Sequence, residues 1–253
     1  MCPDDKTTFM DDKKERIAKV MARAGLCSRR DAERWIAEGR VSVNGTYLKT
    51  PAVTVGAEDK IVVDGKPLPI APETRLFLYH KPTGLVTTAK DEKGRPTVFD
   101  NLPKGLPRVV SIGRLDINSE GLLLLTNNGE LARHLELPAT GWRRCYRVRV
   151  HGRPNQAMFH KLKNGITIDG MKYGPIEVRL EQEKSQGANN WLFVSLHEGK
   201  NREVRKVMEH LELPVNRLIR VAYGPFTLGD LPEGAAMEPN KNILHEHLPE
   251  YFK

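Results

Sequence analysis

Ser111-Ile112-Gly113-Arg114-Leu115-Asp116-Ile117-Asn118-Ser119-Glu120-Gly121 runs directly into Leu122-Leu123-Leu124-Leu125-Thr126-Asn127. Four leucines in succession read as a strand entering the core. The stretch before them is a loop bounded by glycines, and loops carried on rigid strands are where catalytic groups collect. Asp116 stands in that loop beside Leu115 and Arg114. An aspartate there has two readings. It is a turn former whose side chain bonds the nearby backbone, or it is a nucleophile, for which a neighbouring cation holds the carboxylate ionised.

Upstream, the apolar run Leu76 to Tyr79 exits into His80-Lys81-Pro82-Thr83-Gly84-Leu85-Val86, a proline–glycine turn with a lysine at its entrance. Downstream, Asn127-Asn128-Gly129 makes a turn, and Glu130 to Leu137 reads as a helix ending before Pro138. Cys145 to Val150 alternates as a strand does, with Tyr146, Val148 and Val150 on one face and Arg147 and Arg149 on the other. Pro154 and Asn155 open a helix expected to reach about Lys163. Residues 166–178 read as one hairpin turning at Asp169-Gly170. Trp191 to Leu196 is a strand, and Leu218 to Pro225 a closing one. A helix is expected from Glu198-Gly199-Lys200-Asn201-Arg202-Glu203-Val204-Arg205, with Val204, Val207, Met208 and Leu211 as its buried stripe. Arg202 and Lys206 point away from that stripe, and Arg205 lies at its flank.

The first seventy residues are organised differently. Ile17, Val20, Met21 and Ala24 form one helical face, closed by Gly25. Ser28 and Asp31 have the spacing of a helix-capping pair. Ala32, Trp35 and Ile36 continue a second helix, which Gly39 closes. Val41-Ser42-Val43-Asn44-Gly45-Thr46-Tyr47 carries a type I′ hairpin signal, and residues 53–55 and 61–63 are further short strands. The stretch Pro67-Leu68-Pro69-Ile70-Ala71-Pro72 cannot be helical and reads as a stiff linker. Expected divisions are a disordered tail over residues 1–13, a small domain over 14–70 and a larger one over 75–253.

Charge narrows the function classes. The chain has 253 residues and a net charge of +8, and residues 13–70 alone contribute +5, from twelve basic and seven acidic side chains. Such a chain tends to meet polyanions. The leucine run is far short of the roughly 20 residues that span a bilayer. The first residues carry no apolar signal segment, so membrane and secreted readings are not expected. Three cysteines, Cys2, Cys27 and Cys145, form neither a metal spacing nor an even disulfide set, which fits a reducing cytoplasm. The histidine cluster His245-Glu246-His247 reads as a surface segment rather than a metal site. Gly199-Lys200-Asn201 lacks the flanking glycine and Ser/Thr of a phosphate loop.

Residues 28–45, from Ser28-Arg29-Arg30-Asp31 through Gly39-Arg40-Val41 to Asn44-Gly45, resemble the S4 RNA-binding domain. Four motifs follow in order: Lys81-Pro82-x-Gly84, Gly113 to Gly121, Tyr146-Arg147-Val148, and Glu198 to Arg205. Joined to the S4 pattern, they resemble the RsuA/RluB-type ribosomal RNA pseudouridine synthases. The resemblance implies an α+β chain, in which two helices and a short sheet precede a catalytic domain with a central mixed, mainly antiparallel sheet. It implies conversion of a uridine in ribosomal RNA to pseudouridine without metal or organic cofactor. The 23S molecule is expected rather than 16S, as naked RNA or in an assembling ribosomal particle, with the enzyme a cytoplasmic monomer. A binding factor without catalysis on the same fold is the alternative. Carried over by residue, Asp116 is the essential carboxylate, Tyr146 stacks on the target base, and Arg205 pairs with the aspartate. Arg114 and Lys81 shape the site and contact phosphate. Lys19, Arg29, Arg30 and Arg34 of the small domain, with Lys200 and Arg202 of the large one, are expected on RNA.

Overall fold

A computed structural model describes residues 14–181 and 188–252; the expected tail over residues 1–13 lies outside the described residues. The chain divides into two compact units, the first ending at Glu73 and the second beginning at Thr74.

The first unit runs β1 (Glu15–Arg16), α1 (Ile17–Arg23), α2 (Arg29–Ala37), β2 (Val41–Val43), β3 (Thr46–Tyr47), β4 (Thr54–Val55), β5 (Ile61–Val63) and β6 (Lys66–Pro67). The Ser28 hydroxyl accepts the Asp31 N–H at 3.0 Å, and the Asp31 carboxylate accepts the Ser28 N–H at 3.3 Å. This reciprocal cap starts α2 and stabilises it by about 1 kcal/mol. Asn44 and Gly45 both take positive φ, 51° and 83°, as a type I′ turn requires. Ile17, Met21, Ile36 and Val41 are fully buried and join the helices to the sheet β3-β2-β5-β6. One expectation is corrected. Pro67 is not linker: Asp64-Gly65 makes a second left-handed turn, and Pro67 pairs with Val62 on the sheet's edge. An edge strand tolerates a proline because no ladder donor is missed there.

The second unit runs β7 (Leu76–Lys81), β8 (Val110–Ile112), β9 (Glu120–Thr126), α3 (Gly129–Glu136), β10 (Arg144–His151), α4 (Gln156–His160), β11 (Ile166–Ile168), β12 (Met171–Tyr173), β13 (Ile176–Leu180), β14 (Asn189–Leu196), α5 (Glu203–His210), β15 (Val215–Tyr223), β16 (Phe226–Thr227), β17 (Ala236–Met237) and α6 (Lys241–His247). Among the described residues the main sheet has the order β13-β14-β10-β15-β9-β7-β17, with β8 on β9 and β16 on β15. Every pairing in it is antiparallel except β15 with β9. The chain is thus α+β, with a mixed and mainly antiparallel central sheet.

The leucine strand explains the layering. Leu122 and Leu124 face Leu131 and Leu135 of α3 and Leu244 of α6. Leu123 and Leu125 face the other way, onto Phe77, Tyr79, Val98, Val109 and Leu115. All four leucines are fully buried, each adding roughly 1.5–3 kcal/mol of transfer free energy. On the other half of the sheet, Tyr146, Val148 and Val150 pack with Val204, Val207 and Met208 of α5. The Asp116 loop enters β9 where these two packed layers meet.

Three boundaries differ from the sequence reading. The hairpin at Asp169-Gly170 ends at Tyr173, and β13 leaves it to join the main sheet. The helix after Asn155 is shorter, since residues 161–164 tighten into a 3-10 turn. The helix expected from Glu198 begins only at Glu203, because Arg202 is left-handed at φ 53°, ψ 30°. No helix among the described residues is long and apolar enough to cross a membrane.

Candidate active site

The loop before β9 is held by its backbone. Thr87 Oγ1 donates to the Leu115 carbonyl at 2.8 Å and accepts the Leu115 N–H at 3.3 Å. The Asp116 carbonyl accepts the Ser119 N–H at 3.0 Å and Lys81 Nζ at 3.2 Å. The Ile117 carbonyl accepts the Gly84 N–H at 2.7 Å. Arg205 Nη2 donates to the Asn118 carbonyl at 2.8 Å, and Lys81 Nζ to the Ser119 carbonyl at 2.8 Å. Every carbonyl from residue 115 to residue 119 is therefore captured. A loop so held presents its one acidic side chain, Asp116, in a fixed place, which is the geometric requirement of catalysis by positioning.

Glycines supply the close approaches. Gly84 has φ 85° and turns the Lys81-Pro82 exit so that its N–H meets the loop. Gly121 has φ 103°, and a Cβ there would lie 2.3 Å from the Arg220 carbonyl oxygen. Only glycine lets β9 approach β15 so closely at the end of the Asp116 loop.

The Asp116 carboxylate is about one-third exposed and faces Arg202, whose Nη1 is 3.4 Å from Oδ2. Arg205, expected as its partner, makes no ion pair with it here. Arg205 spends its donors on two carbonyls, Asn118 at 2.8 Å and Val215 at 3.2 Å, and so ties the loop to β15. Burial and the nearby Arg202 charge draw the Arg205 guanidinium down, and the Asp116 charge opposes them. Arg202 and Arg205 are three residues apart across a helix start, and no local signal distinguishes their partners. What separates them is the left-handed turn at Arg202, a strained conformation for a residue with a Cβ.

Lys81 is fully buried, and its ammonium donates to the carbonyls of Pro82, Asp116 and Ser119. It is held beneath the Asp116 loop and has no surface for the expected phosphate contact. Arg114 is exposed and makes no hydrogen bond or ion pair among the described residues, so its guanidinium is free for a ligand. Tyr146 is buried in β10 opposite Arg220 of β15, which is itself opposite Gly121 of β9. Register thus sets Tyr146 level with the exit of the Asp116 loop.

The remaining cations divide by engagement. Arg29 and Arg30 are exposed and without partners among the described residues. Lys19 pairs with Glu15 at 2.5 Å, and Arg34 with Asp31 at 3.0 Å. Lys200 donates to Glu198 Oε2 at 2.7 Å and to the Lys172 carbonyl at 2.6 Å, so its charge is held within the chain. The sequence reading missed Thr87, the ion pair between buried Glu120 and exposed Arg217, and the carboxyls of Glu198 and Glu203. The acids flanking Lys200 were a visible signal for the last of these. His245 and His247 lie in α6, and no three His, Cys, Asp or Glu side chains converge among the described residues.

Comparison with known proteins matches two family models, the S4 domain over residues 15–61 and RNA pseudouridylate synthase over residues 75–210. An uncharacterized RNA pseudouridine synthase of Rickettsia felis is 48% identical over 233 residues, covering 92% of this chain and all of that one. A ribosomal large subunit pseudouridine synthase B of Pasteurella multocida is 42% identical over 92% of this chain and 70% of its own length. That of Pseudomonas aeruginosa is 43% identical over 92% of this chain and 62% of its own length. A pseudouridylate synthase crystal structure superposes with a TM-score of 0.66 at 23% identity, covering 92% of this chain and 99% of that one, a likeness of fold.

Proposed function

The chain belongs to the RNA pseudouridylate synthase family and is an isomerase acting on RNA; from that premise we propose that it isomerises one uridine of 23S ribosomal RNA, with Asp116 as its nucleophile. The large-subunit relatives from Pasteurella multocida and Pseudomonas aeruginosa support the choice of 23S over 16S. The same reading puts the enzyme in the cytoplasm, as a monomer, on ribosomal RNA or an assembling particle.

The reaction breaks the N1–C1′ bond, rotates the uracil, forms C5–C1′, and moves one proton from C5 to solvent as N1 gains another. The Asp116 carboxylate adds either to C1′ as the base departs or to the base itself. In both routes the detached uracil must stay in a closed pocket, where recapture outruns escape. Tyr146 offers its ring to the target base, and Arg202 balances the carboxylate's charge. Arg205 acts through the Asn118 carbonyl as a positioning residue, and Arg114 is free for phosphate. The target base must leave its stack, at a cost of a few kcal/mol. Phosphate contacts from Arg29 and Arg30 offset that cost with a salt-dependent strength.

One observation carries the reading most strongly: the capture of every carbonyl from residue 115 to 119 beneath a single carboxylate that faces an arginine. Unmodified 23S and 16S ribosomal RNA, treated with the protein and mapped by carbodiimide labelling and primer extension, test it. A new stop in 23S alone is expected. A stop in 16S alone would overturn the choice of subunit, and no stop in RNA or in partly assembled particles would overturn the activity on ribosomal RNA.

A further inference from the structure

The turn that aims Arg202 at Asp116 is built on two carboxyl groups. Glu203, the first residue of α5, is 3% exposed. Its side chain folds back over the preceding loop, and Oε2 accepts the Lys200 N–H at 2.9 Å. Its own N–H donates to the Lys200 carbonyl at 3.2 Å, so residues 200 and 203 bind each other reciprocally. Glu198 stands at the other end of the same loop. Its Oε1 accepts the Gly174 N–H at 2.6 Å and its Oε2 accepts Lys200 Nζ at 2.7 Å. The two carboxyls thus meet at Lys200, Glu203 on its N–H and Glu198 on its ammonium, close enough for one to hydrogen-bond the other when a proton is present.

Two ionised carboxylates have no proton to share and cannot hydrogen-bond. Glu203 Oε1 is buried and meets no N–H or O–H donor of the protein. A proton carried by one of the two carboxyls is the donor that satisfies this contact. Glu198 already accepts an N–H and an ammonium, both of which favour its charged form. The proton therefore resides on Glu203.

We propose that Glu203, neutral and donating its proton to Glu198, is a positioning residue that holds the loop over residues 199–202 in the strained turn from which Arg202 reaches Asp116. The two carboxyls bracket that loop, and the left-handed Arg202 is the residue between Glu203 and the rest of it. Losing the proton sets two negative charges against each other across a buried contact. The strained turn is then no longer favoured, and Arg202 leaves the carboxylate it faces.

The surrounding charges agree with this assignment. Around the pair stand Lys200 of the same loop, the Lys172 carbonyl and Tyr173 of β12, and Arg144 of β10 against Gly199. Lys200 is engaged with Glu198 and the Lys172 carbonyl, and Arg144 with the His197 carbonyl and the Tyr223 hydroxyl. Burial first, and then the Glu198 contact, push the Glu203 carboxyl up to about 7, while Glu198 is held below its ordinary value. The pair thus titrates in the physiological range.

This inference rests on the reading of Asp116 as the catalytic carboxylate, and its test separates the two. Full-length protein labelled with 13C at glutamate carboxyls is titrated by NMR, with Glu203→Gln to assign the resonance. In parallel, single-turnover rates on 23S ribosomal RNA are measured from pH 6 to 9 for wild type, Glu203→Gln and Glu203→Ala. Glutamine keeps a donor for Glu198 and an acceptor for the Lys200 N–H. The expected Glu203 titration is centred near 7. The wild-type rate is expected to fall about tenfold per pH unit above it. Glu203→Gln is expected to keep the low-pH rate and to hold it up to about pH 8, beyond the point where wild type falls, while Glu203→Ala drops about tenfold at every pH. A Glu203 carboxyl that titrates below 5, or a Glu203→Gln profile that superposes on wild type, would overturn the inference while leaving the role of Asp116 intact. Loss of the Asp116 reading would show instead as an unaltered rate in Asp116→Asn, with the NMR titration still reporting on the carboxyl pair.

Discussion

Replacing Lys81 with methionine separates positioning from chemistry, because the ammonium touches the Asp116 loop only through its backbone. Three donors are lost, to Pro82 at 2.8 Å, Asp116 at 3.2 Å and Ser119 at 2.8 Å. The Asp116 carbonyl keeps the Ser119 N–H, and Pro82 is near enough to the surface for its carbonyl to find water. The Ser119 carbonyl belongs to a residue that is 1% exposed and loses the donor that holds it. An orphaned buried acceptor costs about 1–3 kcal/mol, and each of the other two bonds about 1 kcal/mol. Removing a buried ammonium returns part of this. The balance is about 2 kcal/mol of lost stability, or about 4–8 °C in Tm for a domain of this size. The rate suffers more, since a displacement of about 1 Å at the reacting group costs about 100-fold. Thermal unfolding and single-turnover release of tritium from 5-tritiated uridine RNA measure the two effects. A variant within about twofold of the wild-type rate would refute the clamp, whatever its Tm.

The same lysine has a pH signature. Burial draws it down to about 8, against the opposing charges of Asp116 and Glu120. The ammonium has three N–H donors for three carbonyls and the free amine only two. In the Glu203→Gln background the rate should therefore fall as pH rises through about 8. Stability moves the other way. The folded value lies below the ordinary lysine value, so the unfolded chain holds the extra proton between about 8 and 10.5, and the cost of charging Lys81 is relieved as pH rises across that window.

Two further outcomes follow from the geometry. Gly121→Ala places a Cβ 2.3 Å from the Arg220 carbonyl oxygen and 2.7 Å from its nitrogen, at φ 103°. Strain of about 1–3 kcal/mol adds to a forced separation of β9 from β15, so calorimetry should show Tm lowered by more than about 10 °C; a drop under about 2 °C contradicts the close approach. In the small unit, Arg29→Ala with Arg30→Ala should reduce the slope of log affinity for ribosomal RNA against log salt by about 1.5, from about 0.7–0.9 per phosphate contact. An unchanged slope, or a flat one in the wild type, removes these residues from the RNA interface.

Much of this architecture was legible from local chemistry. The Ser28–Asp31 cap, the Asn44-Gly45 turn and the leucine strand each depend on a few adjacent residues, and all formed where expected. Pro67 was misread because a proline run looks like linker until an edge strand is there to receive it. The start of α5 was misplaced because one residue, Arg202, leaves the helical region under the pull of contacts at Glu198, Lys200 and Glu203. The site residues divide in the same way. Asp116 stood out by its glycine-bounded loop, whereas the choice between Arg202 and Arg205 is made by which carbonyls of a distant loop and strand stand in reach. That information lies in tertiary packing and not in the spacing of the motif.

We propose above all that the Asp116 carboxylate carries the isomerisation. Wild type and Asp116→Asn, each at saturating concentration on the same 5-tritiated 23S ribosomal RNA, with binding measured alongside, test it most directly. Asparagine keeps the volume and the loop, whose anchors are all backbone groups. RNA affinity should stay within about threefold of wild type, and tritium release should fall below about one part in a thousand, a loss of about 4 kcal/mol of transition-state stabilisation. Release by Asp116→Asn at more than about a tenth of the wild-type rate would contradict the claim.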